Sequence, residues 1–325
     1  MNDIPEIALA WHQSGRRAVL TTVIETWGSA PRPVGSQLVI AGDGAMMGSV
    51  SGGCVEGAVV DAALACLESG TPKLLSFGVA DEDAFAVGLA CGGTIRVRVE
   101  PVGDTAGALP PALLADLVAA RAAKRPVALL THLETHAHRL TGGPGDALAT
   151  EIATRMRSDQ SGLEGDWFVG IHNPPLRMVI VGAVHIAQAL VPMARACGYD
   201  PVLIDPRGAF GSAARFPGES IVEDWPDDAL AALALDARCA VVTLTHDNKL
   251  DDPALMSALA SKAFYIGSLG SKRTHAKRLE RLQAAGVSAD QIARIHAPVG
   301  LAIGAKSPAE IAVSIMAQVT QRLRM

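Results

Sequence analysis

Beyond residue 176 the chain alternates short apolar runs with helix-length stretches, and this alternation restricts the fold more than any other feature. Arg177–Val181, Val202–Ile204, Ala240–Leu244 and Ala263–Ile266 read as strands. Helices are expected at 186–196, 229–235, 253–260, 271–285 and 307–323. Strands alternating with helices imply a Rossmann-like, doubly wound parallel sheet, in which ligands bind at the carboxyl ends of the strands.

The first half reads differently. A helical pattern over 4–14 precedes a buried strand at 18–24, and a second strand at 37–40 leads into a hairpin turn at Gly42-Asp43-Gly44. An Ala-rich helix is expected over 55–68, strands over 73–78 and 94–100, a helix over 111–123, and strands over 126–133 and 166–172. The span 134–165 is polar and irregular, with room for a short helix. Asn173-Pro174-Pro175 breaks regular structure. The expected organisation is therefore α/β: an N-terminal mixed α/β domain over 1–173 and a C-terminal Rossmann-like domain over 174–325.

Composition narrows the function classes. Hydrophobic residues at 49% against 19% charged can fill two aliphatic cores, which excludes global disorder. The net charge of −5 argues against coating nucleic acid or an anionic membrane. No apolar stretch is long enough to span a bilayer, and the acidic start lacks a secretory signal. Five cysteines without short paired spacing point to reduced thiols and the cytoplasm.

Val179-Ile180-Val181-Gly182-Ala183-Val184-His185 places a glycine turn between strand and helix. Asp205, 23 positions after Gly182, stands where an acidic residue can bind ribose hydroxyls. Val184 replaces the second glycine of the dinucleotide fingerprint, and a β-branched side chain there obstructs a pyrophosphate. His185 at the helix start suits either an anion or capping and packing. His246 and Asp247 follow the strand 240–244 and are candidate pocket residues. Gly267–Arg273 also follows a strand; its glycines, cations and helix start suit a phosphate, or form an ordinary loop with a solvated basic helix. Gly300–Ser307 is not a P-loop, because Ala305 separates the second glycine from Lys306 and no strand is expected before it, which excludes ATP hydrolysis. No nucleophile–base pair stands out as catalytic.

Cys54 lies in Ser51-Gly52-Gly53-Cys54-Val55-Glu56-Gly57, and Cys91 in Gly88-Leu89-Ala90-Cys91-Gly92-Gly93. A thiol at a helix start favours the thiolate, which binds soft metals or carries sulfur. The alternative is two small residues in tight turns. No zinc spacing applies to cysteines 37 positions apart. Cys66, Cys197 and Cys239 read as buried in aliphatic runs, and His132, His136 and His138 as an exposed loop.

These strings, with Gly28-Ser29-Ala30-Pro31-Arg32, Asp205-Pro206-Arg207, Thr245-His246-Asp247, Leu269–His275 and Gly304–Ala312, resemble the XdhC/CoxI family of xanthine dehydrogenase accessory factors over nearly the whole chain. The resemblance implies a chaperone, not an enzyme. It would bind the molybdenum cofactor, as molybdopterin or its cytosine dinucleotide form, while a cysteine desulfurase replaces an oxo ligand with sulfur. It would then deliver the cofactor to a molybdenum hydroxylase of the xanthine dehydrogenase family. Cys54 and Cys91 match family cysteines linked to cofactor binding. With them, Gly52, Gly53, Gly92, Gly182, His185, Asp205, Arg207, His246 and Asp247 form the expected cofactor-binding set. The family's usual Gly-Ala-Gly-His turn is here Gly182-Ala183-Val184-His185, and Ala302 stands where an Asp is common. A homodimer is expected. The competing reading is an NAD(P)-dependent oxidoreductase using the second domain, motivated by the Gly182 turn and Asp205.

Overall fold

The computed structural model describes residues 3–78, 93–141 and 146–325. The chain divides into two compact units, Met1–Pro174 and Pro175–Met325.

In the first unit α1 (Ile4–Gln13) starts on Pro5 within its first turn, where the missing N–H costs nothing. Then come β1 (Ala18–Trp27), β2 (Gln37–Ala41), β3 (Met46–Gly48), α2 (Glu56–Ser69), β4 (Lys73–Phe77) and β5 (Thr94–Pro101). Their strand order is β3-β2-β1-β5-β4, antiparallel throughout. β1 is rich in β-branched residues and buried along most of its length, so both faces of this sheet are covered. One face carries Val19, Val23, Ile40, Val97 and Val99 against Val59, Ala63 and Cys66 of α2. The other carries Leu20 and Val39 against α1 and α3 (Pro111–Ala122).

A second sheet, β7-β6-β9-β8, is built from β6 (Val127–His132), β7 (His138–Leu140), β8 (Gly162–Glu164) and β9 (Trp167–His172), with α4 (Ala149–Ser158) between β7 and β8. Ile152 of α4 packs on Ala128, Leu130 and Val169. The polar span 134–165 thus contains regular structure, and the expected exposed histidine loop is corrected. His138 is buried, with Nε2 2.7 Å from Glu100 Oε2, and Arg98 Nε donates to the same oxygen at 2.9 Å. His136 Nδ1 lies 3.3 Å from Arg98 Nη1.

The second unit runs β10 (Leu176–Val181), α5 (His185–Ala196), β11 (Tyr199–Ile204), β12 (Ile221–Val222), α6 (Pro226–Ala232), β13 (Cys239–Thr243), α7 (Asn248–Ala260), β14 (Tyr265–Ser268), α8 (Lys272–Ala284), α9 (Ala289–Ile292), β15 (Ile295–His296) and α10 (Pro308–Arg324). All neighbouring strands in the order β12-β11-β10-β13-β14-β15 pair in parallel. Each strand face is covered: α5 and α10 pack one side, α6, α7 and α8 the other. This is the α/β fold with a Rossmann-type second half. The order reverses between β10 and β13, which opens the ligand crevice of such sheets at their carboxyl ends.

Two helices begin earlier than expected. α7 starts at Asn248 because Asp247 caps it, accepting from Lys249 N–H at 2.9 Å, and Pro253 lies inside the helix. α6 starts on Pro226. Gly300–Ser307 leads into a capping box on α10, in which Ser307 and Glu310 satisfy each other's backbone amides. The two-residue β15 precedes that segment, contrary to expectation. Cys197 is also corrected: it is exposed at the end of α5, whereas Cys66 and Cys239 are buried. Among the described residues no helix is long and apolar enough to cross a membrane.

Candidate functional site

In the first unit the residues between β3 and α2 form the Cys54 loop. Gly52 (φ 84°) and Gly53 (φ 117°) adopt left-handed conformations that bend the chain back over Glu56. Glu56 is buried and accepts six hydrogen bonds. Oε1 takes Ser49 Oγ (2.8 Å) and the N–H groups of Val50 (3.2 Å), Ser51 (2.9 Å) and Gly52 (3.1 Å). Oε2 takes Gly53 N–H (2.9 Å) and the Ser51 hydroxyl. Burial alone would raise the Glu56 pKa. The hydroxyl and amide of Ser51 and the hydroxyl of Ser49 outweigh it and hold the carboxyl at about 2.

The resemblance places Gly52 and Gly53 in the cofactor-binding set, yet their amides are not open to an anion of a ligand. The Gly52 and Gly53 N–H groups already grip the chain's own carboxylate. Val55 is drawn fully into the core and Glu56 under the loop, while Cys54 between Gly53 and Val55 is left exposed as a free thiol. The loop is a rigid mount for one outward sulfur. Gly52 approaches Pro31 of the turn after β1, and Gly93 is seated against the Trp27 and Ser29 carbonyls of that turn. Cys91 and Gly92 lie outside the described residues.

In the second unit three turns gather at the carboxyl end of the parallel sheet. After β10, Gly182 (φ 112°) comes so close to the Thr245 turn that a Cβ would lie 2.8 Å from Thr245 Cγ2. Val184 packs on the core, and His185 is exposed at the first position of α5. After β11, Asp205 is buried and accepts from Ala183 N–H (2.8 Å), Arg207 N–H (3.0 Å), Arg207 Nε (2.9 Å) and Arg207 Nη2 (2.8 Å). Its carboxylate therefore shapes the glycine turn and clamps Arg207; no part of it faces solvent. The Arg207 guanidinium lies 4.1 Å over the Phe210 ring.

After β13, His246 is exposed with a left-handed φ of 61°. The turn is held by Asp251, a buried residue that sequence reasoning misses, whose Oδ1 accepts from Thr245 Oγ1 at 2.7 Å. Asp247 is occupied as the cap of α7 and adds negative potential near Arg207. The structure thus brings Gly182, His185, Asp205, Arg207, His246 and Asp247 to the carboxyl end of the sheet, with His246, His185 and part of Arg207 open to solvent.

Burial would raise the Asp205 pKa, but the Arg207 side chain and the Ala183 amide hold it below the ordinary value. A depressed carboxyl stabilises the fold above its unfolded pKa and loses that contribution as pH falls. Asp205→Asn is expected to lower second-unit stability by about 2 kcal/mol at neutral pH, and by less under acid. Denaturant unfolding across pH checks this.

Two family models match the chain: the XdhC and CoxI family over residues 11–78 and the XdhC Rossmann domain over 178–319. The chain belongs to the XdhC/CoxI family. It is 32% identical over 306 residues to the molybdenum cofactor insertion chaperone PaoD of Escherichia coli, covering 94% of this chain and 83% of that protein. It is 27% identical to a probable xanthine dehydrogenase subunit from Bacillus subtilis, covering 94% and 92% respectively. A crystal structure of a xanthine dehydrogenase from Bacillus halodurans superposes with a TM-score of 0.78 at 28% identity, covering all of this chain and 96% of that one.

Proposed function

We propose that the chain is a molybdenum cofactor chaperone, an accessory protein and not a catalyst. It binds the cofactor as molybdopterin or its cytosine dinucleotide form, with Cys54 and Cys91 supplying thiols; within the second unit, His185, Arg207 and His246 are the candidate cofactor-binding side chains. It holds this cargo for a cysteine desulfurase and passes it to a molybdenum hydroxylase of the xanthine dehydrogenase family, working as a cytoplasmic homodimer.

The exposed Cys54 thiol, on a loop pinned from within by Glu56, is the observation that carries this reading. Thiolates are soft ligands suited to a molybdenum–sulfur centre. An outward thiol also suits a carrier that must release its load. Kinship with PaoD over most of both chains supports the same role.

The nicotinamide reading asks Asp205 for a ribose contact, yet its oxygens serve Ala183 and Arg207. Calorimetric titration with NAD(H) and NADP(H) is expected to give no binding heat. The chain purified from cells that make the cofactor is expected to carry molybdenum and pterin in equal amounts, measured by elemental analysis and by fluorescence after oxidation. Pterin-free protein, together with normal hydroxylase activity in a deletion strain, contradicts the proposal.

A further inference from the structure

We propose that the notch at the edge of the second unit's sheet, between β15 and the end of α10, is a binding site for a small aromatic carboxylate. Arg322 takes the carboxylate, and the His296 ring supports the planar body. The inference does not rest on the cargo reading.

β15 has two residues, and its pairing with β14 begins at Ile266↔Ile295. Among the described residues, the chain before Ile266 therefore has no outer neighbour in the sheet. Arg294 closes this stretch from one side. Its Nη1 donates to the Leu259 carbonyl at 2.8 Å, and Nη2 to those of Ser261 at 3.2 Å and Ala263 at 2.9 Å. The space left beside it is a cavity of about 490 Å³, walled in part by Phe264, Ile266, His296 and Arg322. That volume is ordinary for a small-molecule site, and the wall is largely apolar. A second hollow of about 210 Å³ shares His296 and Arg322. Ala263 and Phe264 precede β14, so the cavity lies toward the amino end of that strand, away from the carboxyl-end turns.

The His296 ring is stacked on Tyr265, with centroids 4.8 Å apart and planes 9° from parallel. Tyr265 is 1% exposed, and its hydroxyl donates to Gln318 Oε1 at 2.6 Å. The same oxygen accepts from Gly300 N–H at 2.8 Å. Tyr265 lines neither hollow, so it backs the imidazole from the far side. A ring fixed from behind offers a flat surface that loses little freedom when a ligand stacks on it.

The charges select the ligand. Arg322 is exposed and has no ion-pair partner among the described residues. Asp290 on the wall faces two guanidiniums, so the wall keeps a net positive charge. The Arg294 fork is spent on three carbonyls, which leaves the Arg322 guanidinium free. One planar guanidinium matches one carboxylate through two parallel hydrogen bonds. The apolar remainder of the wall requires an apolar body, and a planar ring lies flat on His296.

The test titrates the full chain calorimetrically with benzoate, benzamide, cyclohexanecarboxylate and inorganic phosphate in chloride buffer, while the His296 ring signals are followed by NMR. Benzoate is expected to bind saturably and to shift those signals. Benzamide lacks the charge and cyclohexanecarboxylate the flat ring, so each is expected to bind about tenfold more weakly. Arg322→Gln and His296→Leu are each expected to weaken benzoate about tenfold, and Lys277→Gln on α8 to leave it unchanged. Should His296→Leu fail to fold, Arg322→Gln at its exposed position decides. Non-saturable benzoate binding, unchanged affinity in Arg322→Gln, equal affinity for cyclohexanecarboxylate or tighter binding of phosphate overturns the proposal. These readouts need no molybdenum or pterin, so the cargo reading can fail without affecting them.

Discussion

Glu100→Ala is expected to unfold the first unit more readily than other single changes in its polar interior. Glu100 accepts from Arg98 and His138 at one oxygen, and all three side chains are buried. Burial would raise the Glu100 pKa, but the Arg98 charge and the His138 hydrogen bond hold it below its usual value. Removing the carboxylate leaves the 1% exposed Arg98 as a buried charge with its nearest counter-ion gone. Breaking such a pair from one side costs about 3–5 kcal/mol, or about 10 °C in Tm for a unit of this size. Glu100→Gln keeps the shape and is expected to lose less. Because the folded pKa is depressed, the contribution persists above the unfolded pKa and disappears as pH falls. Thermal unfolding of the three proteins at neutral and acid pH checks size and sign.

Glu56→Ala is expected to loosen the Cys54 loop with a smaller global cost. Four amides and two hydroxyls lose their acceptor at once. A shift of the carboxyl from 4.5 to about 2 corresponds to about 2–3 kcal/mol after allowance for screening beside solvent. That stabilisation is complete above pH 4.5 and is lost as pH falls toward about 2. Hydrogen exchange at Val50, Ser51, Gly52 and Gly53 is expected to accelerate about tenfold to a hundredfold. Unchanged protection at these amides contradicts the assigned role of Glu56.

Much of the second unit is legible in the sequence because a parallel strand buried on both faces reads as an unbroken apolar run, as Val179–Val181 and Ala240–Val242 do. β12 and β15, two residues each, are too short to leave a pattern. Pro253 reads as a helix start because proline favours first turns, but Asp247 caps α7 six positions earlier. Cys54 stands out through its glycine loop. Glu56 lies in the same string without an evident role, since a carboxylate folding back onto its own loop shows only as a glutamate three residues after Gly53. His138 misleads because its partner is 38 positions away on another sheet. Asp251 and Arg278 carry no local signal, being charged residues whose burial depends on the packing of α7 and α8.

The most direct measurement compares cargo retention by the wild-type chain and Cys54→Ala, both purified from cofactor-producing cells, with dissociation followed by pterin fluorescence. An exposed side chain can be trimmed with little effect on the fold, so Tm serves as the control. If the outward thiol holds the cargo, Cys54→Ala loses molybdenum and pterin at least tenfold faster at unchanged Tm. Equal retention by the two proteins would contradict that role.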